Sequence, residues 1–157
     1  MSHLPHRVLL LLCFAPFAIP VPAHAGQIDA CAILTQAQIQ SVLGVAVDPG
    51  QPVSPTIRTS CKWLESGVDA FKAKTVILSI KPVQAYETAK SFNNGKFTMT
   101  PVAGIGDDAY LTSGTLSYGA VISVRKGGGA FTITVRGYPD VATIAEKDKA
   151  LAKIANF

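Results

Sequence analysis

Histidine is scarce in this sequence, and its three copies are His3, His6 and His24. All three fall within residues 1–25, which have the pattern of a removable export signal, so the remaining domain would contain no imidazole. Ser-His-Asp and Cys-His hydrolases need an imidazole that accepts and returns a proton. Catalytic zinc, histidine-ligated haem and blue-copper sites need imidazole ligands. The sequence therefore argues against these chemistries, and we expect no metal ion and no cofactor.

Cysteine also occurs three times, and only Cys31 and Cys61 lie beyond residue 25. They are too far apart for a Cys-x-x-Cys redox motif and too few for a zinc site made of cysteines alone. In an oxidising compartment a lone pair normally forms a structural disulfide, and two free thiols are the alternative. A disulfide closing such a loop would stabilise the fold by roughly 3–4 kcal/mol if cross-linking mainly restricts the unfolded chain.

Long hydrophobic runs are confined to the amino terminus. An apolar run over residues 8–21 follows Arg7, and Ala23-His24-Ala25 supplies the small residues that signal peptidase accepts. We predict cleavage before Gly26, which leaves residues 26–157 as one domain outside the cytoplasm, periplasmic or secreted.

Two membrane-attached forms are the alternatives to cleavage. A retained anchor is disfavoured because the run has about 14 residues, whereas a spanning helix needs about 20. Attachment of a lipid at Cys13 is disfavoured because Leu12, rather than a small residue, precedes that cysteine. We therefore expect contact with the membrane only in transit, through the signal peptide.

Concentrated positive charge is also absent. The chain has 14 lysines and arginines against 10 acidic residues, and its longest basic run is the pair Arg125-Lys126. Nucleic-acid-binding proteins gather these side chains on one face. We therefore expect no nucleic-acid partner, and instead an unidentified small molecule or a protein of the cell envelope.

The first half of the domain carries signals for two helices and two strands. Thr35 and Gln38 form a capping box at the start of a helix that Gly44 ends. A proline-rich stretch at residues 49–55 predicts a loop. Strands are predicted at residues 57–64, with Cys61 and Trp63 on one face, and at residues 72–81. A short helix with Val83, Tyr86, Ala89 and Phe92 on one side then ends at Asn93-Asn94-Gly95.

The second half predicts three strands and a final helix. The strands cover residues 108–112, 120–126 and 130–136, and Gly127-Gly128-Gly129 supplies a hairpin turn between the last two. Thr143 and Glu146 predict a capping box for a helix with Ile144, Leu151 and Ile154 on one stripe. The predicted fold is α+β: an antiparallel sheet of about five strands with helices packed on it and one disulfide.

The best candidate for a ligand site is the segment Gly104-Ile105-Gly106-Asp107-Asp108-Ala109 together with the following tyrosine. The candidate ligand-binding residues are Gly104, Gly106, Asp107, Asp108 and Tyr110. A dinucleotide fingerprint is excluded because no strand precedes the glycines and no helix follows them. Calcium would need a longer series of spaced ligands. The structural alternative is a tight glycine turn whose carboxylates cap backbone amides.

Three further features favour ordinary structural roles. Gly127-Gly128-Gly129 beside Arg125 and Lys126 suits a hairpin turn better than an anion site. Trp63 is interpreted as a core residue. The run Glu146-Lys147-Asp148-Lys149 is interpreted as a solvated helix face.

Two groups of residues resemble a known family. The first group is Cys31, Leu34-Thr35, Ile39, Leu43-Gly44 and Cys61-x-Trp63. The second group is Gly104-x-Gly106-Asp107-x-Ala109-Tyr110, Val124-Arg125-Lys126-Gly127 and the alanine-rich last helix. Together they resemble a family of small extracytoplasmic domains of unknown function, frequent among actinobacterial lipoproteins and similar to extracellular sensor domains. The resemblance covers most of residues 26–157. It implies an α+β fold with a Cys31–Cys61 disulfide and no reaction, and this chain departs from it in lacking a suitable lipid-attachment cysteine.

These observations favour a non-enzymatic binding or interaction module outside the cytoplasm. One alternative is a secreted inhibitor of an envelope enzyme, which would insert a rigid loop such as residues 49–55 into an active site. The other is a histidine-free enzyme that uses carboxylates or tyrosines, for which Asp107 and Asp108 would be the first candidates.

Overall fold

The computed structural model describes residues 28–92, 97–114, 119–155 and 157. The predicted signal peptide and the predicted helix end at Asn93-Asn94-Gly95 lie outside these residues. The described chain forms three α-helices and one antiparallel sheet of seven strands, so the predicted α+β class is confirmed. The predicted number of about five strands is too low. None of the described helices is long and apolar enough to cross a membrane.

The elements have the following bounds. The helices are α1 (Gln36–Leu43), α2 (Val83–Ser91) and α3 (Val141–Ile154). The strands are β1 (Gln51–Ser54), β2 (Ile57–Leu64), β3 (Thr75–Pro82), β4 (Thr98–Pro101), β5 (Asp108–Ser113), β6 (Ala120–Lys126) and β7 (Gly129–Arg136). Their spatial order is β1-β2-β3-β7-β6-β5-β4.

The two strands that the sequence did not predict, β1 and β4, are the edges of the sheet. Both have four residues and both contain a proline, Pro52 in β1 and Pro101 in β4. Proline lacks an N–H and is tolerated on an edge strand, where only one side of the backbone pairs. The stretch at residues 49–55 is therefore not the free loop we expected, since β1 pairs with β2.

The sheet has a core face and an outer face, which the period of two along each strand separates. The core face carries a row of buried apolar residues in register: Cys61, Leu78, Ile133, Ile122 and Leu111. Helix α3 packs on β6 and β7 at this face, and α1 packs against α3. Helix α2 lies on the outer face, where Tyr86 clusters with Tyr110 and Ala130.

The predicted disulfide joins the core face to the start of the chain. Cys31 lies in a 3-10 turn, Ala30–Ala32, and its Sγ is 2.02 Å from that of Cys61 in β2. Trp63, which faces the same way as Cys61, is fully buried as predicted.

Several predicted boundaries are confirmed and two are wrong. The Thr35–Gln38 capping box starts α1, and Gly44 ends it in the left-handed region with φ of 74°. Helix α3 instead begins at Val141, because the Asp140 carboxylate accepts the Thr143 N–H at 2.7 Å. Strand β3 begins at Thr75 rather than residue 72, because a hydrogen-bonded turn occupies the preceding residues.

The helix stripes also differ in part from expectation. Phe92 and Ile154, predicted on inner faces, are exposed. Conversely, Asp148 belongs to the charged run predicted to face solvent, yet it is fully buried. Its Oδ1 accepts the backbone N–H of Val135 in β7 at 2.9 Å, which satisfies an amide at the end of the β6–β7 ladder.

Candidate functional site

The structure divides the predicted ligand segment between the two faces of the sheet. Gly104 and Gly106 lie in the β4–β5 connection, both in the left-handed region. With Lys126 and part of α3 they line a cavity of about 90 Å³. A Cβ on Gly106 would lie 2.5 Å from the Arg125 carbonyl oxygen. The backbone therefore passes directly against β6 here, and glycine is required for that approach.

Asp107 is engaged by the backbone of the β6–β7 hairpin. Its N–H donates to the Arg125 carbonyl at 2.8 Å, and its Oδ2 accepts the Gly127 N–H at 2.6 Å. This arrangement matches the structural alternative to a ligand site, a glycine turn with a carboxylate that caps a backbone amide. Asp107 therefore holds the glycine turn between β4 and β5 against the β6–β7 hairpin.

Asp108, the next residue, faces α2 on the outer face. Its Oδ2 lies 2.5 Å from Lys90 Nζ, and this hydrogen bond is the main reason that the pKa of Asp108 is lowered. Arg125, its cross-strand partner, lies 3.6 Å from Glu87 of the same helix. Two ion pairs therefore connect α2 to β5 and β6.

Tyr86 is the only buried residue of α2. Its ring lies 5.1 Å from that of Tyr110 in a tilted arrangement. Its buried hydroxyl makes no hydrogen bond of normal geometry within the described chain. Burial, and secondly the nearby Asp108 carboxylate, raise the pKa of Tyr86, so the hydroxyl keeps its proton and can donate.

A pocket of about 170 Å³ lies between α2 and the outer face. Its wall includes Lys81, Ala85, Tyr86, Tyr110, Ser123 and Thr132. Ser123 is one of only two buried polar or charged residues among those described, the other being Asp148. Neither the Lys81 ammonium nor the Ser123 and Thr132 hydroxyls have a hydrogen-bond or ion-pair partner in the described chain. The pocket therefore combines an apolar wall with polar groups that can bind an incoming ligand.

The comparisons with known proteins identify no relative. No family model, no curated protein and no solved structure matches this chain. The family resemblance of Cys31, Cys61-x-Trp63 and the glycine segment therefore stays a prediction. The site must be interpreted from its own chemistry.

Of the predicted ligand residues, Tyr110 lines this pocket, and Asp108 lies beside it, next to Tyr86. The structure does not bring Gly104, Gly106 or Asp107 into it. Tyr86 was predicted on the apolar side of α2 but not as a site residue. No local sequence pattern marks Lys81, Ser123 and Thr132 as site residues, because only the strand register brings them together. Among the described residues, no three histidine, cysteine or acidic side chains lie close enough to hold a metal ion.

Proposed function

We propose that this protein is an exported, non-enzymatic binding module, and that its ligand site is the pocket between α2 and the outer face. The ligand is a small anionic molecule that carries several hydrogen-bond acceptors. The observation that carries the proposal is the Tyr86 hydroxyl, which is buried beside this pocket and makes no hydrogen bond of normal geometry in the described chain, although the Asp108 carboxylate lies near it. Leaving such a group unsatisfied costs about 1–3 kcal/mol, and a ligand acceptor would remove that cost.

Size and charge narrow the ligand class. A pocket of about 170 Å³ is smaller than the roughly 300–1,000 Å³ that drug-sized ligands occupy, so one sugar ring or one amino acid is the appropriate size. Lys81 has no acidic partner in the described chain. The carboxylates of Asp108 in β5 and Glu87 in α2 are paired with Lys90 and Arg125. The net local charge therefore favours an anion.

Export is part of the proposal. The pattern of residues 1–25 supports it, and a cysteine pair at disulfide distance is compatible with an oxidising compartment outside the cytoplasm. The binding role is favoured over catalysis because the described wall of the pocket offers hydroxyls and an ammonium group but no unpaired carboxylate. The inhibitor alternative is less well supported, because residues 51–54 of the loop suggested for it are paired in the sheet.

The test is calorimetric titration with D-galacturonate, with D-galactose as the neutral comparison. We expect galacturonate to bind more tightly than galactose. Tyr86→Phe should weaken galacturonate binding about tenfold, the usual effect of losing a hydrogen bond to a charged group. The free Tyr86→Phe protein should be as stable as the wild type or more so, because the deleted hydroxyl makes no hydrogen bond of normal geometry in the described chain.

The matched control is Tyr138→Phe. The Tyr138 hydroxyl donates to the Leu43 carbonyl at 2.9 Å, away from the pocket, so its loss should lower stability and leave galacturonate affinity unchanged. Equal affinities of the wild type and Tyr86→Phe for galacturonate would refute the assignment of the pocket.

A further inference from the structure

A row of hydroxyl side chains crosses the outer face of the sheet. It consists of Tyr110, Ser123, Thr132, Ser79 and Ser60. Each residue is the direct cross-strand partner of the next, so the row runs through β5, β6, β7, β3 and β2 without interruption. With strands about 4.8 Å apart, the row is about 19 Å long.

The two ends of this hydroxyl row differ in exposure. Tyr110 and Ser123 are buried beneath α2 and line its pocket. Thr132, Ser79 and Ser60 are half-buried, and no described helix other than α2 packs on this face. The row therefore leads from an open surface into an enclosed end.

The charges beside the row are mostly positive. The outer-face positions of β2, β3, β6 and β7 include Lys62, Lys81, Arg125 and Arg136, whereas Asp108 is the acidic residue of that face in the described strands. Asp108 and Arg125 are each paired with a residue of α2. Lys62 and Lys81, each two positions along its strand from a residue of the row, have no acidic partner in the described chain, and neither does Arg136, which lies four positions from Thr132. Ser60 and Ser79 bond to each other, whereas the Ser123 and Thr132 hydroxyls have no partner in the described chain. Positive charge next to such hydroxyls favours a partner with negative charge and many polar groups.

We propose that the hydroxyl row binds a linear acidic polysaccharide, one end of which enters the α2 pocket. This inference rests on the proposed function and extends it from one sugar-sized group to a chain. Hydroxyl groups both donate and accept hydrogen bonds, as do the hydroxyls of a sugar chain, so each strand can contact a successive part of the polymer. The unpaired cations bind its carboxylates.

An extended acidic peptide fits this surface less well. Peptides that add to a sheet use the free N–H and C=O groups of an edge strand. The row instead crosses β3, β7 and β6, whose backbones are paired on both sides. Recognition here depends on side-chain hydroxyls and charges.

The experiment measures affinity for oligogalacturonates of increasing length by calorimetry. We expect affinity to rise at least about tenfold from the monomer to a chain that spans the row, and to weaken as salt is added. The row variant is Ser60→Ala with Ser79→Ala. These hydroxyls bond to each other at 2.9 Å and lie outside the pocket, so deleting both leaves no unpaired group.

The double variant should bind the monomer like the wild type and lose most of the gain with length. The control Thr134→Val alters a hydroxyl on the same face of β7 but outside the row, and it should keep that gain. If the monomer binds but affinity does not rise with the length of the chain, the hydroxyl row is not a binding surface, whereas the pocket proposal stands. Failure of monomer and oligomers alike would overturn both. Tighter binding of polyglutamate or of neutral maltooligosaccharides than of oligogalacturonates would also overturn the acidic-polysaccharide assignment.

Discussion

At the scale of single residues, Gly104 and Gly106 form a natural pair for comparison. Both have positive φ, 76° and 59° respectively. A Cβ at Gly104 would meet nothing within 4 Å, whereas one at Gly106 would lie 2.5 Å from the Arg125 carbonyl oxygen and 2.7 Å from a Val124 methyl group. Both glycines therefore adopt a backbone conformation that disfavours a side chain, and only at Gly106 is there also no room for a Cβ.

We predict that Gly106→Ala lowers the free energy of unfolding clearly more than Gly104→Ala does. Gly104→Ala should cost about 1–2 kcal/mol, the penalty for a left-handed residue with a side chain. Gly106→Ala should cost roughly 3 kcal/mol or more, because the clash with β6 adds to that penalty. Urea unfolding of both variants measures the difference. Equal costs would mean that the loop does not pass against β6 as described.

At the scale of elements, α3 carries a carboxyl group that the fold keeps away from water. Asp148 is fully buried between Ile144 and Leu151 on the inner stripe, and its Oδ2 has no partner in the described chain. Burial raises the pKa of Asp148 to about 9, although the Val135 N–H opposes that shift. The folded protein therefore holds this carboxyl protonated near neutral pH.

This burial predicts that stability falls as the pH rises. Between about pH 4 and pH 9 the folded state binds a proton at Asp148 that the unfolded state has released, so each rise in pH favours unfolding. Above about pH 9 the stability that this proton contributes is lost completely. Asp148→Asn should remove the downward slope, because an amide does not titrate and its oxygen can still accept the Val135 N–H. Urea unfolding from pH 5 to pH 9 measures this slope.

The opposite behaviour at low pH provides a comparison within the same experiment. Asp140 at the start of α3 has a lowered pKa, mainly because its carboxylate accepts the Thr143 N–H. Its contribution to stability is present above about pH 4 and disappears as the pH falls below that value. Asp148→Asn should therefore leave the fall in stability below about pH 4 unchanged. A wild-type stability that is flat from pH 5 to pH 9 would contradict the burial of an unpaired carboxyl.

How far each element could be predicted depends on where its signal lies. Helix α1 and the β6–β7 hairpin carry their signals locally, in the Thr35–Gln38 box and the Gly127–Gly129 turn, and both were predicted correctly. Edge strands β1 and β4 form because a neighbouring strand offers a partner, so their short proline-containing sequences carry no comparable signal. Asp148 could have been placed correctly, since the helical period puts it on the Ile144–Leu151 stripe despite its charge.

The candidate site was less predictable than the fold for the same reason. Tyr110 was singled out because it follows the glycine segment, and Asp108 because it is acidic. The pocket, however, is completed by side chains from β3, β6, β7 and α2, whose proximity depends on strand order. In this chain β3 pairs with β7, more than 40 residues later, and no local pattern indicates that pairing.

At the scale of the whole molecule, the main hydrophobic core and the proposed ligand site lie on opposite faces of one sheet. The core face holds the main hydrophobic cluster, α1, α3 and the Cys31–Cys61 bond. The outer face holds the pocket and the hydroxyl row, and its own apolar cluster consists of Tyr86, Tyr110 and Ala130 with Met99 packed against them. A change on the core face should therefore alter the folding equilibrium with little effect on a ligand bound at the outer face.

The disulfide allows this separation to be tested. It closes a loop over a separation of 30 residues, and in the chain-entropy model its removal costs roughly 3–4 kcal/mol. Cys31→Ala with Cys61→Ala should lower the free energy of unfolding by roughly that amount, because the unfolded chain regains its freedom while the buried site around Trp63 loses contacts. At a temperature where the variant is still folded, its affinity for galacturonate should match that of the wild type, since the pocket lies on the outer face and the disulfide on the core face. Thiol titration of unreduced wild-type protein should find neither cysteine reactive. Two free thiols, or a variant as stable as the wild type, would show that the sulfurs are not bonded, and a folded variant with weakened binding would show that the two faces are coupled.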